Sequence, residues 1–138
     1  MTDIRNFRLA CHTAARRVGG EVVEFRLADD VTPNFHQALI TYRDRTVAVV
    51  CTRDSAILAV AEPRTIQFVD DVRDSGPLTF VDVPALMAVL AELPGFEVLP
   101  PSELNGPFDP ADWPDVRSDD MKYWRPGNLG EALFNYWD

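Results

Sequence analysis

Two apolar runs in close succession, TVAVVCT (46–52) and SAILAVA (55–61), limit the folds open to this chain more than any other feature. TVAVVCT is rich in β-branched residues and apolar enough to be a central strand. Arg53-Asp54 makes a tight connection to the second run, and Pro63 ends it. Upstream, EVVEFRLA (21–28) alternates Val22, Glu24 and Arg26 with Val23, Phe25 and Leu27, as a strand with one wet face should. DDVTPN then turns the chain. FHQALITY (35–42) alternates Phe35, Gln37, Leu39 and Thr41 against His36, Ala38, Ile40 and Tyr42, a pattern that leaves the buried face open. Connections this short favour an antiparallel meander over parallel units. IQFVD (66–70) and LTFVD (78–82) are two weaker strand candidates around the polar VRDSG.

Helices are expected around this meander. Over 3–18, Ile4, Phe7, Cys11, Ala14 or Ala15, and Val18 recur at three- and four-residue spacing and so share a face. Thr2 or Asp3 can cap the start, and Gly19-Gly20 supplies a left-handed stop. A second helix is expected over VPALMAVLAEL (83–93), with Asp82 as its cap, Pro84 in its first turn and Pro94-Gly95 after it. FEVL (96–99) adds one more strand. Seven of the eleven prolines fall between 94 and 126, which predicts an ordered irregular loop carrying Phe108, Trp113, Tyr123 and Trp124. The chain closes with YWRPGNLGEALFNYWD (123–138). There Asn128 and Glu131 stand as in a capping box, and Leu129, Leu133 and Trp137 mark a short amphipathic helix. Gly130 lowers the intrinsic stability of that helix by about 1 kcal/mol relative to Ala, so packing must hold it against the core. The expected architecture is α+β: an N-terminal helix, a mainly antiparallel sheet of four to six strands, a helix after residue 82 and a short C-terminal helix on the core. One globular domain over 1–138 accounts for the length, without an internal repeat.

Charge is distributed unevenly. Residues 1–69 carry nine Arg and eight Asp/Glu, whereas residues 70–138 carry three Arg and one Lys against fourteen Asp/Glu. Nearly all of the net charge of −9 therefore belongs to the second half. A field of that sign repels nucleic acid and anionic membrane and attracts basic proteins or cations. Arg5, Arg8, Arg16 and Arg17 could form a basic strip on the first helix, although Arg5, Arg8 and Arg16 do not fall tidily on one line, and a solvated face is the plainer reading. The start lacks a signal-peptide run, the longest apolar stretches are too short to span a bilayer, and Cys11 and Cys51 lie on core-like segments. Free cysteines and a cytoplasmic location are the expectation.

Catalytic patterns are sparse. There is no Gly-x-Ser-x-Gly elbow and no Gly-rich phosphate loop. Cys11 and His12 are helix neighbours that point about 100° apart and cannot form a dyad, though Cys11 could meet His36 across the fold. Cys11, His12, His36 and Cys51 lack paired metal-ligand spacing, and DDVRD (70–74) and SDD (118–120) do not match a calcium loop. No cofactor is implied.

The segment PFDPADWPDVRSDDMKYW (107–124) sets Asp109, Asp112, Asp115, Asp119 and Asp120 among Phe108, Trp113, Tyr123 and Trp124. Carboxylates steer and pair with basic groups while aromatics supply anchors, which is what capture of a basic protein requires. The plainer alternative buries the aromatics and leaves the acids solvated. The size, the acidic second half, this segment and the closing WRPGNLGEALFNYWD together resemble the small acidic immunity proteins of bacterial toxin systems. That resemblance implies a non-enzymatic inhibitor that occludes a basic toxin such as a nuclease, with partner contact at Asp109, Asp112, Trp113, Asp115, Asp119, Asp120, Tyr123 and Trp124. Two other readings stay open: a small hydrolase or transferase using His36 or His12 with a carboxylate in a cleft between sheet and C-terminal loop, and a homo-oligomeric scaffold joined through its aromatic end helix.

Overall fold

The structure, a computed structural model, describes residues 3–27, 35–53, 56–63, 78–107 and 128–134. Its centre is a five-stranded sheet in the order β1-β2-β3-β4-β5. Strands β1 (Glu21–Arg26), β2 (Phe35–Tyr42), β3 (Arg45–Thr52) and β4 (Ile57–Ala61) form the antiparallel meander, and β5 (Glu97–Val98) joins β4 in parallel. A parallel neighbour requires a crossover, and α2 (Pro84–Glu92) lies within it. Helices α1 (Ile4–Arg17), α3 (Pro101–Leu104) and α4 (Leu129–Leu133) complete the described elements.

Burial in the central strands is two-sided. Ala38, Ile40, Val47, Val49, Cys51, Leu58 and Val60 face Phe7, Cys11 and Ala14 of α1 and Leu86 and Leu90 of α2. Their alternates Phe35, Leu39, Ala48, Val50, Ile57, Ala59 and Ala61 face Leu104 of α3 and Leu129, Leu133 and Phe134 at α4. This explains why FHQALITY shows no single buried face: both of its faces are covered, and every residue from Phe35 to Ile40 is buried.

Helix α1 begins and ends where its chemistry predicts. The Asp3 carboxylate accepts hydrogen bonds from the Arg5 and Asn6 amides. At the other end the Gly19 amide donates to the Arg16 carbonyl and the Gly20 amide to that of Ala15, a complete Schellman motif with Gly19 at φ +79°. Helix α2 departs from expectation. Its N-cap is Val83 with no side-chain hydrogen bond, so Asp82 does not cap it, and Pro84, whose missing N–H needs no partner, opens the first turn.

Four further expectations are corrected. Strand β1 does not alternate simply, because a bulge between Val22 and Glu24 turns Val23 out to 53 % exposure and leaves Val22 and Phe25 packed against the α1-side core. LTFVD (78–82) is no strand: Phe80 forms a single bridge to Ala61, since the outer edge of the five-residue β4 is already paired with β5 at Ile57 and Leu58. The proline-rich region after 94 is not wholly irregular either. Beyond the strand expected at FEVL, which is β5, it holds the one-turn α3, which starts on Pro101 where proline is tolerated. Finally, α4 ends at Leu133 instead of running on to Trp137. The turn DDVTPN, the candidate strand IQFVD, the remainder of the loop from 108 onward to 127, and Tyr136 and Trp137 lie outside the described residues.

The Phe134 ring sits between Phe35 and Phe80, with centroids 6.1 and 5.8 Å away. The Leu129 amide donates to the Gly106 carbonyl, tying α4 to the end of α3. Gly130 explains itself here: a Cβ at this position would collide with the Phe80 ring and lie 3.2 Å from the Leu104 carbonyl oxygen. Gly130→Ala should therefore destabilise the fold by about 1–2 kcal/mol despite the gain in helix propensity. Urea unfolding checks this, as a shift of the midpoint to lower denaturant.

Candidate functional site

The eight residues expected to contact a partner, Asp109, Asp112, Trp113, Asp115, Asp119, Asp120, Tyr123 and Trp124, lie outside the described residues. What the structure does place is the charge around them in sequence. Residues 56–63 and 78–107 contain Glu62, Asp82, Glu92, Glu97 and Glu103 and no Lys or Arg. All five side chains are exposed. Glu92 is bonded to Arg17 of α1 at 3.0 Å, whereas Glu62, Asp82, Glu97 and Glu103 pair with no cation among the described residues. Glu62 follows β4 directly, Asp82 precedes α2, Glu97 opens β5 and Glu103 lies in α3. These carboxylates thus stand on segments next to β4 and β5, where the described residues 56–63 and 78–107 carry no cation.

The opposite side is built differently. Helix α1 packs over β1 and β2, and its interior contains four arginines and no acid. Arg17 turns toward Glu92. Arg5 and Arg16 are eleven residues apart, so three turns of helix bring them within about 20° of one line, with Arg8 about 60° to the side. The three therefore do not share one line, as expected, although Arg5 and Arg16 nearly do. Arg8 leans the other way for a physical reason: its guanidinium lies 5.4 Å from the Phe25 ring centroid, on the ring that His12 also meets at 5.3 Å.

The nucleophile candidates lie together in the core beneath α1. His36 stands opposite Cys51 in the β2–β3 register, 2 % exposed, with its ring 5.9 Å from that of Phe7. Cys11 and Cys51 are both free and fully buried. Burial pushes the Cys11 thiol far up, and the neighbouring Cys51 adds to the shift. The Cys51 thiol itself donates to the Thr52 carbonyl at 3.4 Å. A thiol held protonated and away from water is a poor nucleophile. His36 also lies on the α1 face, opposite the one that α4 covers, while most of the C-terminal loop expected to form a cleft with the sheet lies outside the described residues.

A polar cleft of about 640 Å³ opens instead at the β2–β3 turn, lined by residues that include Gly20, Glu21, Tyr42, Arg43, Asp44 and Arg45. Neither histidine contributes to it. Arg43 and Asp44 form the two-residue hairpin loop with φ +49° and +60°, a left-handed pair normally left to Asn-Gly. The Arg43 guanidinium stacks 5.1 Å from the Tyr42 ring. Gly20 closes the cleft floor, where a Cβ would stand 2.5 Å from the Thr41 carbonyl oxygen. Among the described residues no three His, Cys, Asp or Glu side chains group as metal ligands, and no helix is long and apolar enough to cross a membrane.

Sequence reasoning missed two features. One is the meeting of His36 with Cys51, which only strand register reveals. The other is Gln37, 4 % exposed with its side-chain carbonyl oxygen unpartnered; its polar position inside an apolar strand was the available signal.

The thiol environment makes a direct prediction. Neither cysteine should react with a thiol reagent at pH 8 in the native protein, and both should react once urea unfolds it. Because folding raises the Cys11 pKa, the folded state holds a proton that the unfolded state loses near the ordinary value of 9.0. Stability should therefore be unaffected by this group below pH 9 and fall above it, by up to about 1.4 kcal/mol per pH unit. Denaturant melts between pH 8 and 10.5 measure that slope. No family model, curated protein or solved structure matches the chain.

Proposed function

We propose that this chain is a non-enzymatic protein-binding domain, and specifically an immunity-type inhibitor that takes a basic toxin on its acidic side. The observation that carries the reading is the acidic β4–β5 side, where Glu62, Asp82, Glu97 and Glu103 are exposed on segments without a single Lys or Arg. Solubility needs net charge, but it does not need the charge segregated to one side. A segregated field raises the encounter rate with a cationic protein, and desolvated anchors then hold the complex. The proposal assigns anchoring to Trp113, Tyr123 or Trp124 and charge pairing to Asp109, Asp112, Asp115, Asp119 and Asp120, on the grounds of their sequence pattern. The mechanism is steric occlusion and requires no bond to form or break.

Reversal of three of these aspartates, Asp109→Lys, Asp112→Lys and Asp115→Lys, separates folding from recognition. The association rate with a basic partner captured by the wild-type protein should fall by about tenfold or more at low salt, with the far-UV circular dichroism unchanged. Association rates equal to wild type in a folded variant would remove these residues from the interface.

A further inference from the structure

We propose that the outward face of α1 is a docking surface for the acidic β4–β5 side of a second copy of this chain. Arg5, Leu9, His12 and Arg16 follow one another at spacings of four, three and four residues, so they form one stripe, and all four are exposed. Leu9 in the middle of the stripe is 65 % exposed, the most open of the large hydrophobic residues described. Arg8 flanks the stripe from its stack on Phe25.

Such a face is uncomfortable alone. Arg8 and His12 stand four residues apart, as do His12 and Arg16, and the helix offers no carboxylate between them. Like charges at such spacings repel, and the arginines do so across the face as a whole. Among the described residues neither Arg5, Arg8 nor Arg16 reaches a carboxylate. Asp3, Glu21 and Glu24 lie on the α1 side without meeting these arginine side chains, and Glu62, Asp82, Glu97 and Glu103, which pair with no cation among the described residues, lie toward the other end of the sheet. Strand order puts β1, with α1 above it, at one edge, and β5 with Glu97 at the other. One molecule cannot bring its own two sides together, whereas two molecules side by side can. That geometry is heterologous, so each copy keeps one unused side and association extends instead of closing as a symmetric pair. The net charge of −9 repels a nucleic acid and, as a whole, a second copy as well, so self-association rests on the local match of these arginines with carboxylates. One helix face is small beside a standard interface, which makes the contact weak and strongly dependent on salt.

The inference does not rest on the toxin-inhibitor reading, and its test needs only the purified protein. Sedimentation equilibrium at rising concentration should show an average mass growing beyond 15.5 kDa at about 20 mM salt, with the association constant falling about tenfold or more by about 200 mM. Arg5→Glu with Arg16→Gln should abolish growth, and so should Glu97→Lys with Glu103→Lys. Mixing the two variants should restore association, since one keeps its acidic side and the other its arginine face. Arg5→Glu places a carboxylate near the helix N-terminus, where the dipole favours it. Leu9→Ser is an independent, solvent-exposed variant that should weaken association about threefold or more without disturbing the fold. A wild-type protein that stays at 15.5 kDa throughout at low salt would overturn the proposal. So would association untouched by the charge variants, or capture of a polyanion such as heparin by the arginine face without self-association.

Discussion

Everything else in this fold depends on the burial of β3 and β4 from both sides. Val47 to Thr52 and Ile57 to Ala61 are buried without interruption, so each strand needs an apolar layer above and another below. Helices α1 and α2 supply one layer. The short α3 and α4 supply part of the other, and neither is long enough to be stable alone. Fully burying a residue such as Ile40 or Leu58 contributes about 1.5–3 kcal/mol. The exposed Arg17–Glu92 pair that links α1 to α2 contributes at most about 1 kcal/mol. Apolar layering therefore sets the architecture, and surface charge is left free for other purposes.

Much of this was legible in the sequence because the signals were local. The helical period and the Asp3 and Gly19-Gly20 ends of α1 belong to one segment, and so do the apolar runs of β3 and β4. What escaped was decided by other parts of the chain. The β1 bulge depends on how β1 meets β2. LTFVD has strand chemistry and meets the β4 edge at Ala61, but β5 takes that edge at Ile57 and Leu58, so the pairing stops at one bridge. Asp82 is a good capping residue in the wrong position, because the chain enters α2 through Val83 and Pro84. The alignment of Arg5 with Arg16 was available from helical arithmetic alone and becomes meaningful once α1 is seen to carry no acid. The aspartate and tryptophan pattern of 107–124 remains a sequence argument, since only Pro107 of that segment is among the described residues.

The same layering separates chemistry from recognition. The groups that could act as nucleophile or base in the α1-side core, Cys11, Cys51 and His36, are enclosed by Phe7 and the sheet. Among the described residues, the exposed charges include arginines on α1 and carboxylates on the segments around β4 and β5, with acids also at Asp3, Glu21, Glu24 and Asp44 and further arginines at Arg43 and Arg45. A protein arranged in this way can discriminate partners by charge while its interior stays unchanged. It also creates competition, since a basic partner and a second copy of the chain would contend for one acidic side.

The central claim is that this acidic side takes a basic protein. Affinity capture with the tagged protein from its own source, at about 50 and then about 200 mM salt, tests it most directly when bound proteins are cross-linked from carboxylate to lysine and identified by mass spectrometry. The account predicts a stoichiometric basic partner that survives the higher salt, cross-linked through carboxylates in the second half of the chain. Recovery of no stoichiometric partner, or of one attached only through the α1 side, would contradict it.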